Sequence, residues 1–291
     1  MQGLGCSRIH YVIEATGVYS EAVGEYLSEA GAELKLSVIN PYQAKSFGKT
    51  LGIRTKNDKV DAGLLAFYGA RIKPEPMGRI SGELKELKVL VRHLEYLTNR
   101  RGQERGRLEG VTNPVVKDSI EQIIRGYDKQ IEEIEKAIEE HIKKHPELRH
   151  KLELVETIPG IGRITSRILL CELHSEDGSG GKVSAKAQSA HAGLAPQEKS
   201  SGTSVRGQAH ICRTGSSRLR KCLYFPAVSA IRHNEVIRRF YKRLVDKGKP
   251  KKVALVAAMR KLLVIAVGVL NNGVPFDVNW TAQRKISMAT P

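Results

Sequence analysis

The chain has 291 residues, with 48 Lys+Arg against 31 Asp+Glu and a formal net charge of +17. Its 41% hydrophobic content can build a core, so wholesale disorder is excluded, and the length suits about two domains. The longest apolar run, Val253–Leu270, is broken by Arg260 and Lys261, which argues against a membrane span.

The first predicted strand is His10–Ala15 (HYVIEA) and the second Leu34–Ile39 (LKLSVI), both apolar and β-branched. Between them Val18–Ala30 reads as a helix ending at Gly31. Asn40-Pro41 turns into another helix, and Asn57 caps a further one over Asn57–Tyr68. Alternating strands and helices predict an α/β layer with a parallel sheet. Pro74 and Pro76 close this region.

From 80 to 148 the apolar pattern becomes helical. Leu84, Leu87, Leu90, Leu94 and Leu97 recur at three and four. After Asn113-Pro114, Ile120, Ile124, Tyr127, Ile131, Ile134 and Ile138 form a heptad seam. Both a two-helix hairpin and a dimerising coiled coil satisfy it. Beyond residue 150, helices are expected at Arg163–Leu173, Arg218–Ile231, Glu235–Asp246 and Lys252–Leu270. Gly178–Gly181 and Lys199–Gly207 read as loops, and 278–291 as a flexible tail.

The charge is concentrated. Residues 201–270 hold 16 Lys+Arg and 2 Asp+Glu, a net of +14. A solvated basic face would account for this, but a phosphate-contacting surface does so more specifically. Residues 1–8 carry no signal peptide pattern, and Cys6, Cys171, Cys212 and Cys222 form no C-x-x-C pair. They read as reduced thiols of a cytosolic protein.

Four constellations carry chemistry. Glu14 ends a strand, and Asp58 and Asp61 share one helix face at i, i+3. Converging carboxylates suit Mg²⁺ with phosphate oxygens. Helix-start support by Asp58 and a solvated Asp61 explain the same spacing without metal. Gly160, Gly162 and Arg163, in IPGIG opening a helix, form either a phosphate-binding turn or an ordinary helix connection. Pro196–Gly207 offers Ser200, Ser201, Thr203 and Ser204 beside Lys199 and Arg206. Such a loop supplies a nucleophile where something activates a serine, and otherwise hydrogen-bonds phosphates. Arg213, Arg218, Arg220 and Lys221 surround a Ser-rich helix start suited to backbone contact. His174, His191, His210 and His233 show no ligand spacing.

IEATGVY, VINPYQAKSFGKTLGIRTKNDKVDAGLLA, IPGIG, AGLAPQEKSSGTSVRG and RTGSSRLRKCLYFPA, in this order, resemble the bridge-RNA-guided DEDD transposases of the insertion sequence one-hundred-and-ten family. The resemblance implies an α/β plus all-α architecture. Residues 1–76 would be a partial RuvC-like, ribonuclease-H-type DEDD nuclease domain, 80–148 a coiled-coil dimerisation region, and 150–277 a helical transposase domain. It implies Mg²⁺, or Mn²⁺, on Glu14, Asp58 and Asp61, and Ser201 as a nucleophile linked transiently to DNA, with Ser200 its neighbour. It also implies donor and target DNA, a structured guide RNA, a homodimer assembling into a tetramer on DNA, and a cytoplasmic, prokaryotic setting. No Asp or Glu precedes Glu14. The family's first acidic ligand and its strand therefore have no counterpart here, and an N-terminally truncated domain is the expectation. Two alternatives accompany it: a catalytically impaired nucleic-acid-binding protein, and a metal-dependent junction nuclease without a covalent step.

Overall fold

In a computed structural model, residues 9–15, 23, 26, 35–53, 55, 57–76, 81–173, 183–197, 200–201, 205–206, 210–211 and 215–278 are described. The architecture is mostly helical with a small parallel sheet. Two compact units divide the chain, residues 1–79 with 174–216 and residues 80–173 with 217–291.

In the first unit, β1 (His10–Glu14) pairs in parallel with β2 (Lys35–Ile39), from His10↔Lys35 to Glu14↔Ile39. Asn40 caps α1 (Pro41–Thr50): its side chain accepts from Tyr42 N, and the Gln43 side chain accepts from the Asn40 amide. Asn57 caps α2 (Asp58–Ile72), accepting from Val60 N at 2.9 Å. This helix runs one turn beyond the predicted end at Tyr68. Ile39, Ala44 and Tyr68 form the core, with Val12, Phe47 and Leu65 packed on it. A Cβ on Gly69 would lie 2.7 Å from Val12 Cγ2, so α2 crosses β1 closely only because residue 69 is glycine. Ser37, buried, donates to the carbonyls of Pro74 and Glu75 at 2.9 and 2.8 Å, and His10 Nε2 lies 2.7 Å from its Oγ. Pro74 and Glu75, at the close of the region, are thus tied to the sheet.

The predicted helix over Val18–Ala30 and the loop Gly178–Gly181 lie outside the described residues, apart from Val23 and Tyr26. A short helix unmarked in the sequence, α7 (Ala185–His191), precedes the serine-bearing segment.

The second unit begins with α3 (Gly82–Leu108) and α4 (Pro114–Lys144), an antiparallel hairpin. Arg101 pairs with Asp128 at 2.7 Å, and buried His141 donates to the Glu83 carbonyl at 2.8 Å. The heptad seam closes within the chain: Leu87, Leu97, Ile120, Ile131 and Ile138 are all buried. Helices α5 (Pro146–Glu156) and α6 (Arg163–Glu172) complete that core through Leu148, Leu152, Ile168 and Leu170.

Helices α8 (Ser217–Cys222), α9 (Tyr224–His233), α10 (Glu235–Asp246) and α11 (Lys251–Asn272) follow. The single helix expected over Arg218–Ile231 is therefore two, broken at Leu223. Pro226 sits in the first turn of α9, the one place where its missing N–H costs no helical bond. By length and composition α11 could cross a bilayer, but half of its apolar window is buried. Ala254, Ala258, Leu262, Leu263 and Ala266 make it the core helix of this unit.

Candidate active site and nucleic-acid interface

Glu14 ends β1, half-buried, at the strand's C-terminal edge, where ligands bind in open parallel sheets. The Asn57 cap sets Asp58 and Asp61 in the first turn of α2. There both carboxylates also complement the helix macrodipole. Asp61 is half-buried on the face carrying Leu64, Leu65 and Tyr68, and Asp58 is exposed. Among the described residues no three carboxylate, histidine or cysteine groups gather to hold a metal ion. The acidic set alone is therefore not a complete cation cage.

Within the loop expected over Lys199–Gly207, the described residues form strands. Strands β3 (Pro196–Gln197) and β6 (His210–Ile211) pair antiparallel, and inside them β4 (Ser200–Ser201) pairs with β5 (Val205–Arg206). Ser200 is opposite Arg206, and Ser201 is opposite Val205. Backbone ladders hold these described pairs where composition alone predicts a loop. Lys199, Gly202 and Arg213 lie outside the described residues. At the end of this segment Ser216 N donates to the His191 carbonyl at 2.6 Å. A Cβ on Gly215 would collide with that same oxygen.

The IPGIG turn joins α5 to α6 in the other unit. Ile158 and Ile161 anchor it in the core, and Gly160 adopts φ +106°. Gly162 is the N-cap of α6 and provides no capping side chain, so the amides of the first turn are not capped from within the helix. Asn234 Nδ2 reaches the Pro159 carbonyl at 3.5 Å, while its Oδ1 caps α10 by accepting from Val236 N and Ile237 N. Phe276 N donates to Thr157 Oγ1 at 2.8 Å.

A partner for this turn that sequence reading missed is Glu139 of α4. One of its carboxylate oxygens accepts from both Arg163 and Arg167. Glu132, Glu135 and Glu139 face Gly160, Gly162 and Arg163 across a cavity of about 940 Å³. Separations of 24 and 28 residues leave no local sequence signal for these pairs.

Arg218 is already engaged. Its guanidinium meets Glu95 at 3.1 Å and Glu172 at 3.6 Å, and Arg92 approaches Glu172 at 3.7 Å. Burial raises the Glu95 carboxyl above its ordinary range. It also pushes the Cys171 and Cys222 thiols up to about 12, so both stay protonated at neutral pH. Arg220 is half-buried and Lys221 exposed on the same helix.

Residues 152–242 match the family model described as "Transposase IS116/IS110/IS902 family", and residues 5–113 match a DEDD model of the IS110 type described as "Transposase". Over 272 residues the chain is 38% identical to the "Pilin gene-inverting protein" of Moraxella bovis, covering 93% of this chain and 83% of that protein. The chain belongs to the IS110 family of transposases. The Moraxella lacunata protein of the same description is 37% identical over the same length. An "Insertion element IS110 uncharacterized 43.6 kDa protein" of Streptomyces coelicolor is 29% identical over 147 residues, half of this chain and 35% of that one.

The transposase is thus a DNA transposase/recombinase, and its two matched regions frame the candidate residues. Glu14, Asp58 and Asp61 fall in the first match. The IPGIG turn, the serine-bearing strands and Arg218, Arg220 and Lys221 fall in the second.

Proposed function

We propose that this transposase excises and inserts an insertion sequence through a serine-linked DNA intermediate, with a structured RNA supplying sequence choice. The observation that supports this most is the membership of the first compact unit. It joins 1–79 to 174–216, so the acidic residues and the serine-bearing strands share one unit although the helical hairpin lies between them in sequence.

In this reading the Ser201 hydroxyl oxygen attacks a phosphodiester phosphorus. An Oγ–P bond forms, a DNA P–O bond breaks, and the serine proton leaves while the departing DNA oxygen takes one up. The reverse attack by a DNA hydroxyl on the phosphoserine restores the serine and joins the strands. Glu14, Asp58 and Asp61 are the residues that would hold a magnesium ion, which when bound would supply positive charge beside the reacting phosphate.

Residues 1–76 act as the RuvC-like part, 80–148 as the dimerising spacer and 150–277 as the transposase part. The hairpin seam is satisfied within the chain, which leaves exposed Val89 and Tyr96, seven apart on α3, for a second copy. RNA and DNA phosphates meet the basic residues of 201–270 and the first turn of α6.

The test is strand exchange between donor and target plasmids with the element RNA and Mg²⁺. Wild-type protein recombines and yields a protein–DNA adduct on denaturing gels, and Ser201→Ala does neither. Normal recombination by Ser201→Ala, with loss in Ser200→Ala, moves the nucleophile by one residue. Cleavage that survives both serine variants but not Asp61→Asn identifies a junction nuclease instead.

A further inference from the structure

The second unit contains another, smaller cavity, of about 290 Å³, between α9, α10 and the start of α11. Its lining is divided by chemistry. Half-buried Ile231, Tyr241 and Leu255 form an apolar wall with one phenol ring. Arg232, Lys251 and Lys252 stand exposed at its rim. No carboxylate lines it, in contrast to the larger cavity with Glu132, Glu135 and Glu139. Among the described residues no ion pair involves the three rim cations; the neighbouring Glu235 is taken by Arg239 at 2.8 Å.

Three like charges held around one opening repel each other unless an anion sits among them. An apolar wall with an aromatic ring takes the face of a base, and such stacking is indifferent to which base it is. The volume is at the lower limit for small-ligand pockets, roughly 300 Å³, so it admits one nucleotide and not a longer segment. A duplex keeps its bases stacked inside and offers this cavity only phosphates.

We propose that this cavity holds one unpaired nucleotide of the bound nucleic acid, its phosphate on Arg232, Lys251 and Lys252 and its base against Tyr241. The inference rests on the nucleic-acid-binding part of the proposed function and adds a place that selects single-stranded over paired substrate.

The experiment measures full-length protein binding to labelled single-stranded DNA, single-stranded RNA and a blunt duplex of equal length across a salt series. Tyr241→Leu is expected to lose about ten-fold on the single strands and nothing on the duplex, while Tyr241→Phe retains binding. Arg232→Gln with Lys251→Gln and Lys252→Gln lowers the single-strand salt slope by about 0.7, the share of one phosphate. A loss limited to the RNA or to the DNA identifies which strand supplies the nucleotide. Equal losses on single strand and duplex overturn the cavity and leave the broader reading standing. Absence of wild-type binding to all three overturns both. Thermal unfolding of each variant separates misfolding from lost binding, with Tyr241→Phe as the folded reference.

Discussion

Gly160 and Ala230 touch backbone to backbone. A Cβ on Gly160 would lie 2.8 Å from Ala230 Cβ and 2.9 Å from Ala230 Cα and N, and φ at Gly160 is +106°. The IPGIG turn is therefore held against α9 by an approach that only glycine permits. Gly160→Ala is expected to cost about 2–3 kcal/mol from backbone strain and overlap together. In Ala230→Gly the nearest overlap disappears but the Cα and N contacts persist, so the double variant recovers only part of the loss. Denaturant titration of the two single variants and the double variant measures this, and full recovery would mean that both the backbone strain and the Cα and N contacts cost nothing.

Glu139 holds Arg163 and Arg167 on one oxygen. A phosphate approaching Arg163 must compete with that carboxylate. Glu139→Gln frees Arg163, which is exposed, and is expected to strengthen DNA binding and steepen the salt slope by about one. Arg163→Ala should weaken binding by a similar amount. Unchanged slopes in both would remove the turn from the interface.

Arg218 ties α8 to α3 and α6 through Glu95 and Glu172. Because Arg218 is partly exposed, Arg218→Ala should cost about 1–2 kcal/mol, below the roughly 3–5 of a fully buried pair. The carboxyl of Glu95, raised already, rises further without its cation. A raised carboxyl binds more protons in the folded state, so its effect on stability worsens as pH climbs above about 4.5. Arg218→Ala should thus lie closest to wild type near pH 4–5 and furthest above it, read as the difference in Tm across pH.

His10 is displaced downward by desolvation and by Lys35. The folded state then binds fewer protons at this site than the unfolded chain. Stability rises with pH through the interval below about 6.5 and is lost on acidification through it. His10→Gln, which keeps a donor for Ser37, should flatten that part of the pH profile of unfolding. An unaltered profile would assign the acid sensitivity elsewhere.

Local signals fixed much of this fold. The caps at Asn40 and Asn57, the two strands and the leucine and isoleucine seam could all be read in advance, since each is decided within one or two turns of chain. Elements with compositional camouflage could not. Pro146 opens α5 directly after α4, and within the Ser- and Gly-rich 196–211 the described residues pair as strands. Pairings such as Glu139 with Arg163, or Glu172 with Arg218, depend on which helices meet, and no window of sequence contains both partners. At the candidate site the residue types and helical placement of Asp58 and Asp61 were legible, whereas the joining of the acidic and serine segments into one unit was not.

Both compact units are interrupted in sequence: 80–173 divides the first, and 174–216 divides the second. A ribosome therefore releases neither one whole until it has passed residue 216. The hairpin α3–α4 and the sheet β1–β2 with its packed helix α2 both rest on contacts between neighbouring segments, so each can form before residue 216 emerges. A nascent chain arrested before that point carries Glu14, Asp58 and Asp61 without the serine segment. Under the proposed serine-linked reaction, the acidic residues are made early and their serine partner only after more than two thirds of the chain has emerged.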